Sequence, residues 1–406
     1  MSARARSVFS NRSFSLFYAG QAFSYAGDGL RLIALPLLVY HLTGSALSIG
    51  VTYALELGPF ALFGLVGGSL ADRLDRRRLM IACDFIRFAT LALFAFGYAR
   101  GSLSLPLLYA GIAVISTCAA IFSGSQASSI PYLLGKGRAT QAVSALLSAE
   151  QATQMILPPI GGALFSLMGP LPALIVNAAT YLISQVSIAA VDTFGPDRPL
   201  GLPTPRVMLA DIATGFRFLL RDRAMTAISL GSLAFNFFGF IAAAVFIPFL
   251  KRDLGASDFA VGYALGFGAL GAMLGSYLGG RVPPSWPFGR LLIVAYLADG
   301  VLFVPVMLAH NLPLAVTFLA LANAAVLFEV AQIVGWRMRV TPEELVGRVF
   351  GAARLVVLIG TVPGALIGGL IADHYGARLA IIISTLGYLV MGFVLAASPA
   401  VRGERR

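Results

Sequence analysis

The sequence predicts an all-α polytopic membrane protein with twelve transmembrane helices in two six-helix pseudo-repeats. Three observations predict it. The 406 residues are 58% hydrophobic and only 12% charged, whereas soluble chains are roughly 45–50% apolar and about 25% charged. Twelve apolar runs each approach or exceed the ~20 residues that a helix needs to cross the hydrocarbon core. The last six runs also echo the first six at a nearly constant offset. The runs are continuous instead of alternating, which argues against an outer-membrane barrel.

In order, the spans cover 14–40, 44–71, 79–99, 105–125, 139–168 and 171–191 in the first half. They cover 225–250, 257–280, 289–309, 313–336, 347–372 and 377–397 in the second. Links such as His41–Gly44 and Gly169–Pro170 are short enough to make helical hairpins. The longest connection, near Asp192–Ala224, opens with the Pro- and Gly-rich stretch Gly195–Pro205, which reads as a linker. It continues as Val207–Arg223, where Met208, Leu209, Ile212, Phe216, Leu219 and Leu220 recur at helical spacing. That pattern predicts an amphipathic helix on the inner membrane surface. The expected organisation is an N-terminal half at 1–191, a cytoplasmic linker at 192–224 and a C-terminal half at 225–406.

The halves repeat in detail. Pro36, Leu42, Ser45 and Gly50 return as Pro248, Leu254, Ser257 and Gly262, 212 residues on. Gly161, Gly162 and Gly169 return as Gly368, Gly369 and Gly376, 207 residues on. Ser69, Leu70 and Arg73 align with Tyr277, Leu278 and Arg281 at 208. Matches at nearly one offset in corresponding spans indicate a parallel repeat.

Charge placement orients the chain. The formal net charge of +11 is carried in short loops between spans, so it marks membrane topology and anionic headgroups and argues against nucleic acid as a partner. Twenty-two of the 29 Lys and Arg residues fall at the termini or in the loops after even-numbered spans; four fall in the opposite loops. This bias places both termini in the cytoplasm of a bacterial inner membrane. The basic Met1–Ser13 is followed by a full-length span, so no cleaved signal peptide is expected. Cys83 and Cys118 lie inside spans, and no disulfide framework or metal-ligand cluster is present. The chain holds no Walker A motif, so it does not itself hydrolyse ATP. No cofactor and no enzymatic activity are expected.

One loop is more specific than the rest. Gly67–Arg78 reads GGSLADRLDRRR, with six charges between Asp72 and Arg78. Together with the six-plus-six arrangement and the middle linker, this loop resembles the major facilitator superfamily, whose pattern is Gly-x-Leu-Ala-Asp-Arg-x-Gly-Arg-Arg/Lys. Gly68, Leu70, Ala71, Asp72, Arg73, Arg76 and Arg77 match it, and Asp75 stands where the family has glycine. Asn11–Leu47 is similar to bacterial exporters of siderophores and macrolides. The family's antiporter motif, G-x-x-x-G-P-x-x-G-G, falls on Thr153, Leu157, Pro158, Gly161 and Gly162, so two of its four glycines are replaced. The resemblance implies that the loop works as a cytoplasmic gate, with Gly68, Asp72, Arg73, Arg76 and Arg77 in it. Asp84, Arg87 and Arg354 are grouped with that gate.

Charges inside spans need partners or water. Asp28 and Arg31 lie one turn apart on span 1, and Asp84 and Arg87 repeat that spacing on span 3. Glu56, Glu150, Asp299 and Glu329 lie within spans 2, 5, 9 and 10. The resemblance implies that spans 1, 4, 7 and 10 line a central cavity, which favours Asp28, Arg31 and Glu329 as cavity groups. Glu56 and Glu329 have no basic residue one turn away, which suits a proton-coupling role or a pairing with a distant arginine. Gln126, Asn236, Phe237 and Gln332 are the expected substrate-cavity residues, on spans 4, 7 and 10. An aromatic, weakly polar cavity with one or two acids suits small amphipathic substrates. The functional expectation is a monomeric secondary transporter, surrounded by membrane lipids, that couples protons to the export of a drug- or siderophore-like molecule. Proton-coupled nutrient uptake and lysophospholipid translocation between leaflets are the alternatives.

Overall fold

The computed structural model describes residues 8–71, 74–135, 138–192, 194, 205–221, 223–283, 285–342 and 345–404. All regular structure among them is helical. Twelve long helices match the twelve spans: α1 Arg12–Thr43, α2 Ala46–Ala71, α3 Arg76–Ala99, α4 Leu105–Leu134, α5 Ala139–Met168, α6 Pro170–Ala189, α8 Arg223–Pro248, α9 Asp258–Gly279, α10 Phe288–Met307, α11 Leu312–Val340, α12 Val346–Tyr375 and α13 Ala377–Ala397. Their lengths run from 20 to 32 residues. At about 1.5 Å per residue even the shortest crosses ~30 Å of hydrocarbon. Ten of them also carry a window apolar enough to span a membrane. The linker forms α7, Pro205–Leu219, and a short α14, Pro399–Arg402, follows α13.

The repeat seen in the sequence is written into the helix ends. Gly44 closes α1 at φ +63° and Gly255 follows α8 at φ +64°, a left-handed conformation that glycine adopts without a Cβ penalty. The next helix then starts in the same way in both halves. The Ser45 hydroxyl accepts from the Ser48 amide at 3.1 Å, and the Ser257 hydroxyl accepts from the Ala260 amide at 3.2 Å. Each satisfies an otherwise orphan donor of the first turn. The pair Gly169 and Gly376, at φ +75° and +94°, does the same after α5 and α12.

The helices group into two compact units. One contains Met1–Leu35 and Leu55–Thr204; the other contains Pro36–Ala54 and Pro205–Arg406. The tip of the α1–α2 hairpin therefore packs with the second unit.

In the first unit, α3 packs on α4 and α6, and α5 on α6. The antiporter-motif positions of α5 face α1. A Cβ at Gly29 would lie 2.8 Å from the Thr153 carbonyl oxygen, and one at Gly161 would lie 3.1 Å from the Leu30 carbonyl oxygen. Glycine survives at Gly161 where the backbones meet, and the contact tolerates Thr153 because the partner there is itself glycine.

In the second unit α8 packs on α12 and α9 on α11. A Cβ at Gly364 would lie 2.2 Å from the Phe237 carbonyl oxygen, and one at Gly275 would lie 1.9 Å from that of Ala324. Such contacts require glycine and let the helices approach closely. The linker helix α7 is held against α12, where a Cβ at Gly215 would lie 2.2 Å from the Arg348 carbonyl oxygen. Phe218 and Leu219 are buried and Leu220 is exposed, so the helix ends a turn earlier than its periodicity suggested.

Candidate transport and coupling site

The first unit gathers its intramembrane charges into pairs. Arg31 Nη1 lies 2.5 Å from Glu56 Oε1, and Arg31 Nε lies 3.5 Å from Asp28 Oδ1. The Tyr181 hydroxyl donates to Asp28 at 2.6 Å, and Ser116 donates to the Glu56 carbonyl. The expected Asp28–Arg31 pairing is present. Glu56 pairs with Arg31, a partner supplied by a different helix. Asp84 and Arg87 form a second pair, almost wholly buried. The Arg87 guanidinium lies over the rings of Tyr181 and Phe122, 4.4 and 4.8 Å from their centroids. Tyr181 thus joins the two pairs, offering its hydroxyl to one and its ring face to the other. Asp84 and Arg87 are buried in the core of this unit. Gln126 donates to the Tyr25 hydroxyl at 2.9 Å.

The second unit treats its acids differently. Glu329 on α11 and Asp299 on α10 are 1% and 0% exposed. Among the described residues no cation forms an ion pair with either, and Tyr296 lies within electrostatic reach of both. Near them is a partly open cavity of about 210 Å³ whose lining includes Tyr53, Phe246, Phe303, Leu319, Asn323 and Tyr388. A complete drug-sized site needs roughly 300–1,000 Å³, so this cavity is smaller than one. Asn236 donates to the Ser232 carbonyl of its own helix at 2.8 Å. The Phe237 backbone lies against Gly360 and Gly364. Gln332 is buried and donates to the Gly279 carbonyl at 2.7 Å, tying α11 to α9. None of these three residues lines the cavity.

The sequence model of the Major Facilitator Superfamily matches residues 17–361. The chain belongs to this superfamily. It is an integral membrane transporter and not a member of an enzyme family. The chain is similar to the multidrug efflux pump Tap of Mycobacterium tuberculosis (strain ATCC 25618 / H37Rv), with 25% identity over 393 residues, covering 93% of this chain and 91% of Tap. It is similar to the enterobactin exporter EntS of Escherichia coli O81 (strain ED1a), with 26% identity over 404 residues, covering 94% and 91%. Among solved structures, it shares the fold of a bacterial homologue of the human lysosomal transporter Spinster in an inward-facing, occupied conformation. That match has a TM-score of 0.75 at 15% identity, covering 97% and 98% of the two chains. The transporter PepTSo of the POT family gives 0.73 at 13% identity, covering 95% and 97%.

In superfamily terms, the loop after α2 is partly visible. Gly68 is in the last turns of α2, while Asp72 and Arg73 lie outside the described residues. Asp75, the departure from the family pattern, is the N-cap of α3: its carboxylate accepts from the Arg78 amide at 3.1 Å. A capping acid at a helix N-terminus does there what a permissive turn glycine would not. Arg76 donates to the Phe194 carbonyl at 3.2 Å and lies over the Tyr132 ring. Arg77 donates to the Ala189 carbonyl. Both arginines fasten the start of α3 to neighbouring chain ends. Arg354 is exposed, two turns into α12.

The sequence reading missed a set of groups on the hairpin tip. Asp373, at the end of α12, accepts from the Ala46 and Leu47 amides at 2.7 and 3.0 Å and from the Ser45 hydroxyl at 2.5 Å. Arg252 donates to the Gly44 carbonyl and lies over the Tyr40 ring. Lys251 and His41 both meet Asp258, at 2.6 and 3.1 Å. One signal was available: Gly368–Asp373 reads GGLIAD, close to GGSLAD at Gly67–Asp72.

Proposed function

We propose that the chain exports small amphipathic molecules, drug-like or siderophore-like, in exchange for protons that enter the cell. It works in the bacterial cytoplasmic membrane as a monomer with both termini inside. Its halves, 1–191 and 225–406, alternate access to a midplane site, with the linker 192–224 between them. The observation that carries the reading is Glu329, buried on α11 beside an apolar cavity without an ion-pair cation among the described residues. The similarity to Tap and EntS supports the export direction and the substrate class.

The cycle is a simple exchange. A proton arriving from outside binds a carboxylate and makes it a neutral carboxylic acid, which lowers the cost of enclosing it in hydrocarbon. On the inner side the O–H bond breaks, the proton leaves to the cytoplasm, and the substrate takes its turn. The Arg31 cluster, holding Asp28 and Glu56, fixes α1 to α2, and Gln126 ties α4 to α1 through Tyr25. Asn236, Phe237 and Gln332 shape the helices around the cavity. The loop holding Gly68, Asp72, Arg73, Arg76 and Arg77, with Arg354, serves as the cytoplasmic gate.

Inside-out vesicles test this with ethidium and enterobactin as probes. An imposed gradient, acid inside the vesicle, is expected to drive uptake of at least one probe, and adding that probe is expected to release protons outward. Uptake of neither probe, together with movement of labelled lysophospholipid that ignores the gradient, would replace the exporter reading with lipid translocation. Movement of substrate and proton in the same direction would replace it with uptake.

A further inference from the structure

The two units differ in how they hold acids. In the first, Asp28, Glu56 and Asp84 each meet an arginine. In the second, both carboxylate oxygens of Asp299 and Oε2 of Glu329 are buried with no hydrogen-bond partner among the described residues. Two bare negative charges in a water-poor site, with no ion-pair cation among the described residues, cost more than the fold can offset.

Their placement is not random. Phe303 follows Asp299 by four residues on α10, and Val326 precedes Glu329 by three on α11; both Phe303 and Val326 line the cavity. Residues three and four apart share a helix face, so both acids stand one turn behind the cavity wall. Tyr388 on α13 lines the same cavity and lies within electrostatic reach of both acids. The other groups facing the pair are Tyr296 on α10 and, through Tyr296, Ser232 on α8. Ser384, beside Tyr388, donates to the Phe238 carbonyl at 2.7 Å. Arg337, eight residues beyond Glu329 on α11, acts on Tyr296.

Resting on the proton-coupled reading above, we propose that Asp299 and Glu329 form one two-carboxylate proton site, with Tyr388 linking it to the cavity. Loaded, both are carboxylic acids; unloaded, the two share one proton, so that one is a carboxylic acid and the other a carboxylate. Unloading breaks the O–H bond, leaves its electron pair on the carboxylate oxygen and passes H⁺ to water in the cavity. Asp299, on a helix that the superfamily resemblance places outside the central lining, thereby becomes a coupling residue.

Infrared difference spectroscopy on the full chain in lipid nanodiscs, titrated with pH, tests the pair without any substrate. The C=O stretch of a buried carboxylic acid is the readout. Interacting acids titrate as a pair, so Asp299→Asn is expected to move the remaining band's midpoint by about one pH unit or more. Glu329→Gln is expected to do the same to Asp299, and the double variant is expected to lose the band. Single variants that leave the partner's midpoint unmoved, or a double variant that keeps the band, would overturn the proposal. Should Asp299→Asn not fold, Asp299→Glu moves the carboxyl by one methylene and must shift the midpoint too; an unmoved midpoint counts against the pair. Failure here is separable from failure of export. Vesicles that still drive ethidium with both acids removed contradict the pair alone, whereas a wild-type chain that drives nothing contradicts the export reading alone.

Discussion

Arg31 reaches across from α1 to Glu56 on α2 at 2.5 Å, while the same guanidinium stays 3.5 Å from Asp28 on its own helix. One cation therefore serves two acids. Removing it leaves two partly buried carboxylates facing each other. Breaking a buried pair by deleting one partner costs about 3–5 kcal/mol; Arg31 and Glu56 side chains retain 13% and 11% exposure, which puts the cost at the lower end. Arg31→Met is expected to lower the thermal unfolding midpoint in detergent sharply. Adding Glu56→Gln to that variant is expected to recover part of the loss. A double variant less stable than Arg31→Met would show that Glu56 does not depend on Arg31.

The close helix contacts make a second prediction. At Gly275 a Cβ would sit 1.9 Å from a backbone oxygen, whereas at Gly58 nothing lies within 4 Å. Gly275→Val is expected to cost about 1–3 kcal/mol through forced separation of α9 and α11. Gly58→Ala is expected to be neutral or mildly stabilising, since alanine is the better helix former. Melting curves of the two variants against wild type decide it, and equal midpoints would refute the packing account.

Asp373 supplies a third. It satisfies the Ala46 and Leu47 amides at the start of α2, and losing such a cap costs about 0.5–2 kcal/mol. Asp373→Ala is expected to speed hydrogen exchange of those two amides by roughly 2–30-fold. Exchange at Ala260, capped by Ser257, is expected to stay as it was. Unchanged exchange at both sites would mean that Asp373 does not hold the hairpin tip.

These relationships show which parts of the molecule its sequence discloses. Spans, hairpin turns and the repeat are local or periodic, so they read directly; Gly44 and Gly255, and Ser45 and Ser257, occupy equivalent turns and caps. The pairs Asp28–Arg31 and Asp84–Arg87 read directly because both members are on one helix turn. Pairings across helices do not. Glu56 finds its arginine 25 residues back, and Gln332 spends its amide on the Gly279 carbonyl, 53 residues away. Polar residues chosen as cavity groups by span number alone were therefore often tie points between helices. The cavity lining is aliphatic and aromatic, with Asn323 as a polar member. Asp299 stood out only once its lack of a partner was visible.

The most direct test of proton-driven export compares two modes of one assay. Proteoliposomes carrying wild-type protein or Glu329→Gln receive ethidium under an imposed proton gradient, and separately under equal pH with labelled ethidium on one side. Wild type is expected to move the probe in both modes. Glu329→Gln is expected to keep exchange and lose gradient-driven accumulation, because a permanently neutral side chain still lets the halves alternate but carries no proton. Gradient-driven accumulation in Glu329→Gln equal to wild type would contradict Glu329 as the proton carrier, and a wild type that moves the probe in neither mode would contradict export.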